Sequence, residues 1–176
     1  NRIERTAKHF HTPHCNGKRY EGAPVEYRPK NLEEAYAAQD RFLELSSTGS
    51  PSVAGYKIAV TSQVIQQLVG LAHPCLGTIR GGSVYTSPSR LAESEFHHVA
   101  VECEIAFTLK SHLVPIRGEQ DRESVRALIE SCHPAFELIE DRYADYSTMD
   151  ALSLIADNCW CGGVVLGPAM TDWQTL

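Results

Sequence analysis

The sequence predicts an α+β fold. Segments with helical periodicity and segments of extended character are mixed along the chain without regular β-α alternation. The 176 residues suffice for one domain with a proper core. The composition, 43% hydrophobic and 22% charged, is that of an ordinary soluble globular protein.

Taken in order, Ile3, Ala7 and Phe10 share one side of a first helix running from Ile3 to about His11. Gly17, Gly22, Pro24 and Pro29 make the next stretch a loop. Asn31 opens a second helix as its N-cap, and Glu34 completes a capping-box pattern. Leu32, Ala35, Tyr36, Gln39, Phe42 and Leu43 trace its apolar stripe, which the stretch from Ser46 to Ser50 ends. A strand over Val53 to Val60, interrupted by Gly55, follows. Thr61 or Ser62 caps a short helix through Val64, Ile65 and Leu68, closed by Gly70. Turn chemistry dominates from His73 to Gly82. Strand-like runs occupy Ser83 to Thr86 and His98 to Leu109. A helix is expected from Arg122 to Ser131, with Val125, Leu128 and Ile129 inward. Then come a strand at Ala135 to Ile139, a helix at Ala151 to Ile155 and a strand at Gly163 to Leu166. The division is a helical segment over 1–50 and a strand-rich domain over 51–176. The chain starts without a Met and stops just after a strand-like run, so residues are expected to be missing, above all at the C-terminus.

A formal charge of −6 and a pI of about 5.7 argue against nucleic acid or an anionic membrane as partner. No apolar run approaches the roughly 18 residues that span a bilayer, and no signal peptide is visible. Six cysteines are scattered with no C-x-x-C pair, which reads as reduced thiols in a cytoplasmic protein. His9, His11, His14 and Cys15 could bind zinc or nickel. Their place near a terminus and the interruption by Pro13 favour an adventitious surface cluster.

The most informative stretch is Val101-Glu102-Cys103-Glu104-Ile105-Ala106-Phe107. In a strand, Glu102 and Glu104 project side by side. Adjacent carboxylates repel unless a positive group sits between them. Mg²⁺ or Mn²⁺ answers that need; an edge strand with one solvated face explains the same pattern. Glu137, flanked by Phe136 and Leu138, would add a third carboxylate and leave open positions on an octahedral ion. Lys57, beside Gly55 and Tyr56, is either an edge-strand lysine facing water or a group that stabilises an enolate and shuttles protons. Asp157 and Asn158 suit a polar pair meeting substrate, and equally a helix C-terminal turn.

In order, Gly55-Tyr56-Lys57-Ile58, Thr61-Ser62, Leu76-Gly77, Glu102-Cys103-Glu104, Pro134-Ala135-Phe136-Glu137-Leu138-Ile139, Ala156-Asp157-Asn158 and Val165-Leu166-Gly167 resemble the 2-keto-4-pentenoate hydratase / 4-oxalocrotonate decarboxylase group of the fumarylacetoacetate hydrolase superfamily. The likeness runs from about Leu32 to Gly167. It implies a mixed β-sandwich roll with peripheral helices, a homo-oligomer, and Mg²⁺ or Mn²⁺ held by Glu102, Glu104 and Glu137. It implies catalytic roles for Lys57 and Asp157, and substrate contacts at Cys75, Leu76, Asn158 and Cys161. The implied substrate is a small 2-oxo acid from aromatic catabolism that chelates the metal. Hydration of an enolised 2-oxo-4-enoate is the first expectation. Decarboxylation, C–C hydrolysis and a catalytically altered binding relative are the alternatives. Two positions depart from the group: many hydratases carry Asp where Cys75 stands, and a serine often stands where Cys161 does. A thiol replaces a carboxylate as base only if its pKa is lowered.

Overall fold

The computed structural model describes residues 1–47, 52–110 and 121–175. Helix α1 (Arg2–Asn16) starts at Asn1, whose side chain accepts from Glu4 N. It runs on past the expected end near His11. Pro13 removes one helix donor but lies in the last turns, and Gly17 terminates the helix in a left-handed conformation at φ 62°. Helix α2 (Leu32–Leu45) is capped as expected, with Asn31 Oδ1 accepting from Glu34 N at 2.9 Å. The Glu34 carboxylate reaches back to Lys30 N rather than Asn31 N. Replacing Asn31 by alanine is expected to lower stability by about 1 kcal/mol in denaturant unfolding. Part of the Ser46 to Ser50 stretch, and the boundary at residue 50, lie outside the described residues.

Strand β1 (Val53–Ala59) pairs antiparallel with β2 (Cys75–Arg80), with Lys57 opposite Gly77. Between them lies α3 (Gln63–Val69), capped by the Ser62 side chain and closed by Gly70. The turn reading of His73 to Gly82 is thus corrected over Cys75–Arg80. Pro74 and three glycines mimic turn chemistry there, but pairing with β1 satisfies the backbone.

The second sheet has the order β3-β6-β5-β4: β3 (Val84–Thr86), β6 (Cys161–Leu166), β5 (Ile129–Glu140) and β4 (Val99–Leu109). Strand β3 runs parallel to β6, and the other pairs are antiparallel. Helix α4 (Arg122–Leu128) ends three residues before the expected Ser131. Ile129 already pairs with Leu109, so β4 recruits the rest of that segment into β5. Opposite each other in this ladder stand Glu102 and Glu137.

Helix α5 (Ala151–Ala156) completes the core. Ala7, Phe10, Ala35, Ala38, Phe42 and Leu43 of the first two helices pack with Leu154, Ile155, Ala156 and Trp160. Gln39, buried on the α2 stripe, donates through Nε2 to Leu76 O and Ile155 O, tying α2 to β2 and α5. The α+β expectation holds. Among the described residues, no helix is long and apolar enough to cross a membrane.

Candidate metal centre

Glu102 and Glu104 project from the same face of β4 because they are two residues apart. The Glu102–Glu137 register brings the third carboxylate onto that face from β5. One carboxylate oxygen from each of the three lies within 4.8 Å of the others. Glu102 and Glu104 are exposed and Glu137 is buried. The trio is open on one side and walled on the other.

The wall is Lys57. Its Nζ lies 2.5 Å from Glu137 Oε1, and both side chains are about nine-tenths buried (11% and 8% exposed). Burial works against the Lys57 charge, but the Glu137 carboxylate outweighs it and holds the lysine above its ordinary pKa. Burial raises Glu137; Lys57 pulls it down, and the charges of Glu102 and Glu104 push it up again. Glu137 Oε1 has no hydrogen-bond donor in proper alignment among the described residues. Gly77 permits the approach of Lys57: a Cβ there would fall 3.0 Å from Lys57 Cε and 2.9 Å from Asn158 O.

Three carboxylates that each bring an oxygen within 4.8 Å of the others, only one of them neutralised by a lysine among the described residues, fit a hard divalent cation. All-oxygen donors suit Mg²⁺, Ca²⁺ or Mn²⁺ rather than a soft metal.

Cys75 and Cys161 stand near Lys57, and both thiols feel its charge. Burial pushes Cys161 up to about 11, against the pull of Lys57. Cys75, buried, is held below the ordinary thiol value first by a hydrogen bond from Cys159, with Lys57 contributing. Leu76 is 44% exposed at the rim.

Asp157 and Asn158 lie apart from the carboxylate trio in their bonding. Asp157 is 1% exposed and pairs with the fully buried Arg142, Nη2 to Oδ2 at 2.8 Å. His14 Nε2 touches the same pair, 3.1 Å from Asp157 Oδ1 and against Arg142 Nη1. Asn158 accepts from Thr78 N at 2.7 Å and donates to Thr78 O at 2.9 Å, fastening the turn after α5 to β2. Replacing Asn158 by alanine orphans both Thr78 groups and is expected to lower stability by about 1–3 kcal/mol in urea unfolding. Sequence reasoning passed over Arg142 and Gly77. The Leu76-Gly77 pair marked the second; nothing local marked the first.

No family model matches the chain. It is 34% identical over 138 residues to a 2-hydroxypent-2,4-dienoate hydratase of Pseudomonas putida, covering 78% of this chain and 61% of that protein. To a 2-hydroxyhexa-2,4-dienoate hydratase of Comamonas testosteroni it is 31% identical over 148 residues, covering 82% of this chain and 54% of that protein. The chain therefore spans little more than half the length of these curated relatives. Its fold matches that of the 4-oxalocrotonate decarboxylase from Pseudomonas putida G7 complexed with magnesium and adipate. The TM-score is 0.84 at 20% identity, over 98% of this chain and 65% of that one. A second structure of that decarboxylase, complexed with calcium and acetate, matches with a TM-score of 0.82 at 20% identity, over 98% of this chain and 64% of that one. The chain is thus similar in sequence to 2-hydroxy-2,4-dienoate and 2-keto-4-pentenoate hydratases, and in fold to 4-oxalocrotonate decarboxylase.

Proposed function

We propose that the chain carries the metal-binding part of a hydro-lyase that adds water to an enolised 2-oxo-4-enoate. The carrying observation is the meeting of Glu102, Glu104 and Glu137 within 4.8 Å, with Lys57 behind them. The three glutamates would hold Mg²⁺ or Mn²⁺. Such an ion supplies positive charge that stabilises the enolate of a 2-oxo acid. Lys57 keeps a proton at the inner wall, where it can stabilise negative charge on the substrate or pass the proton on. Leu76 and Cys161 would line the substrate side, with the buried Cys75 behind them rather than in contact with substrate. Asp157 and Asn158 would act behind that wall by holding the turn that supports it.

The two sheets, joined through the Lys57–Glu137 contact, support reading the whole as a fumarylacetoacetate hydrolase-type roll. Self-association and a cytoplasmic place complete the reading. Exposed Val101, Ile105 and Phe107 on β4 support the association.

The test is consumption of 2-hydroxypenta-2,4-dienoate by the purified protein with Mg²⁺ or Mn²⁺. Metal-dependent loss of the dienoate is expected. Binding of metal and acid without turnover would reduce the protein to a binding relative. Decarboxylation is the second reading, favoured by the fold likeness to 4-oxalocrotonate decarboxylase and by a thiol at Cys75 where many hydratases carry Asp. Release of CO₂ from 4-oxalocrotonate would select it.

A further inference from the structure

Behind the carboxylate site lies a pair of thiols that the proposed reaction does not use together. Cys75 Sγ and Cys159 Sγ are 3.7 Å apart, within van der Waals contact, and 84 residues apart in sequence. Both are buried, at 1% and 2% exposure. Cys75 opens β2 opposite Ala59. Cys159 is held against it by an unusual turn in which Asn158, Cys159 and Trp160 all have positive φ, at 54°, 49° and 55°. Only Asn tolerates that region readily, so three such residues in succession persist where surrounding bonds over-determine them. Those bonds are visible. Asn158 is fixed to Thr78 on both sides, and Cys159 Sγ lies 3.3 Å from Leu76 O. The same strained turn that secures β2 therefore holds the two sulfurs face to face.

We infer that Cys75 and Cys159 form a reversible oxidation site, closing to a cystine under a hydroperoxide such as hydrogen peroxide. In the first step the Cys75 thiolate attacks one peroxide oxygen. The O–O bond breaks, hydroxide leaves, and Cys75 becomes a sulfenic acid. In the second, the Cys159 sulfur attacks the Cys75 sulfur, the S–O bond breaks and water leaves. Two thiols and one peroxide thus yield one disulfide and two waters. The order of attack follows from the surroundings: Cys159 hydrogen-bonds to Cys75 and holds its pKa down, while the same contact and burial hold Cys159 up. The exposed Cys15 and Cys103 have no neighbouring thiol within bonding reach among the described residues.

The test exposes the purified protein to hydrogen peroxide, quenches it in denaturant with an alkylating agent, and maps thiols by mass spectrometry without reduction. A linked Cys75–Cys159 peptide is expected, lighter by two hydrogens than its parts and abolished by dithiothreitol. The oxidised protein should also unfold at a higher temperature, because the link closes a long loop of the unfolded chain. In Cys159→Ser, the Cys75 sulfenic acid should persist and be trapped by dimedone. Recovery of Cys75 and Cys159 as free thiols, at a dose that oxidises Cys15 and Cys103, would overturn the inference. So would a link from Cys75 to Cys161. Neither readout depends on the hydratase reaction, so a failed activity assay leaves this result standing.

Discussion

Replacing Glu104 by alanine is expected to weaken Mg²⁺ or Mn²⁺ binding by at least about 100-fold and to remove metal-dependent turnover with it. Losing a partner outside the metal's direct ligands commonly costs about 10–100-fold in affinity; losing one of three carboxylates takes away a charge and a direct bond. Glu104 is the informative position because it is exposed on β4 and packs against nothing in the core. Its removal leaves the fold intact, so the measurement isolates the ligand. Glu137 is less clean, since its loss also strips Lys57 of its partner 2.5 Å away. Calorimetric titration with Mn²⁺, beside circular dichroism as the folding control, reads the effect. Unchanged affinity in Glu104→Ala would count against the proposed ligand set.

Asp157→Ala is expected to lower the free energy of unfolding by about 3–5 kcal/mol, enough to threaten folding altogether. The reason is the guanidinium left behind. Arg142 has no exposure, and Asp157 is its carboxylate partner at 2.8 Å. Without Asp157 a cation stays in the interior beside His14, with no counter-charge to offset its lost hydration. The double variant Asp157→Ala/Arg142→Met removes both charges and should recover much of the loss. Urea unfolding of the parent, the single and the double variant closes the comparison. A single variant as stable as its parent would show that the pair lends the fold no support, and would return Asp157 to the catalytic role its motif suggested.

Several features were legible without coordinates because they depend on spacing alone. Asn31 and Glu34 are three residues apart, and that interval is the geometry of a helix N-terminus. Glu102 and Glu104 are two apart, and any strand puts them on one face. The stripe from Ala35 to Leu43 repeats with helical period and is buried as the period requires. The turn reading of His73 to Gly82 failed because Pro74, Gly77, Gly81 and Gly82 carry turn signals, while strand formation there rests on a partner, β1, more than fifteen residues upstream. The Arg122 to Ser131 helix was overextended for the same reason: Ile129 had to choose between its own helix and Leu109 across the sheet.

By itself, then, the sequence determined the local grammar: the helix caps, the shared face of two glutamates, and the order of motifs that marks its relatives. Tertiary structure alone decided the pairings. Register set Glu137 opposite Glu102, the two-sheet contact set Lys57 on Glu137, and chain-distant Arg142 and His14 took up Asp157. The physical reason is range. Backbone geometry relates neighbours through fixed intervals, whereas ion pairs and thiol contacts form between residues whose distance along the chain says nothing about their distance in space.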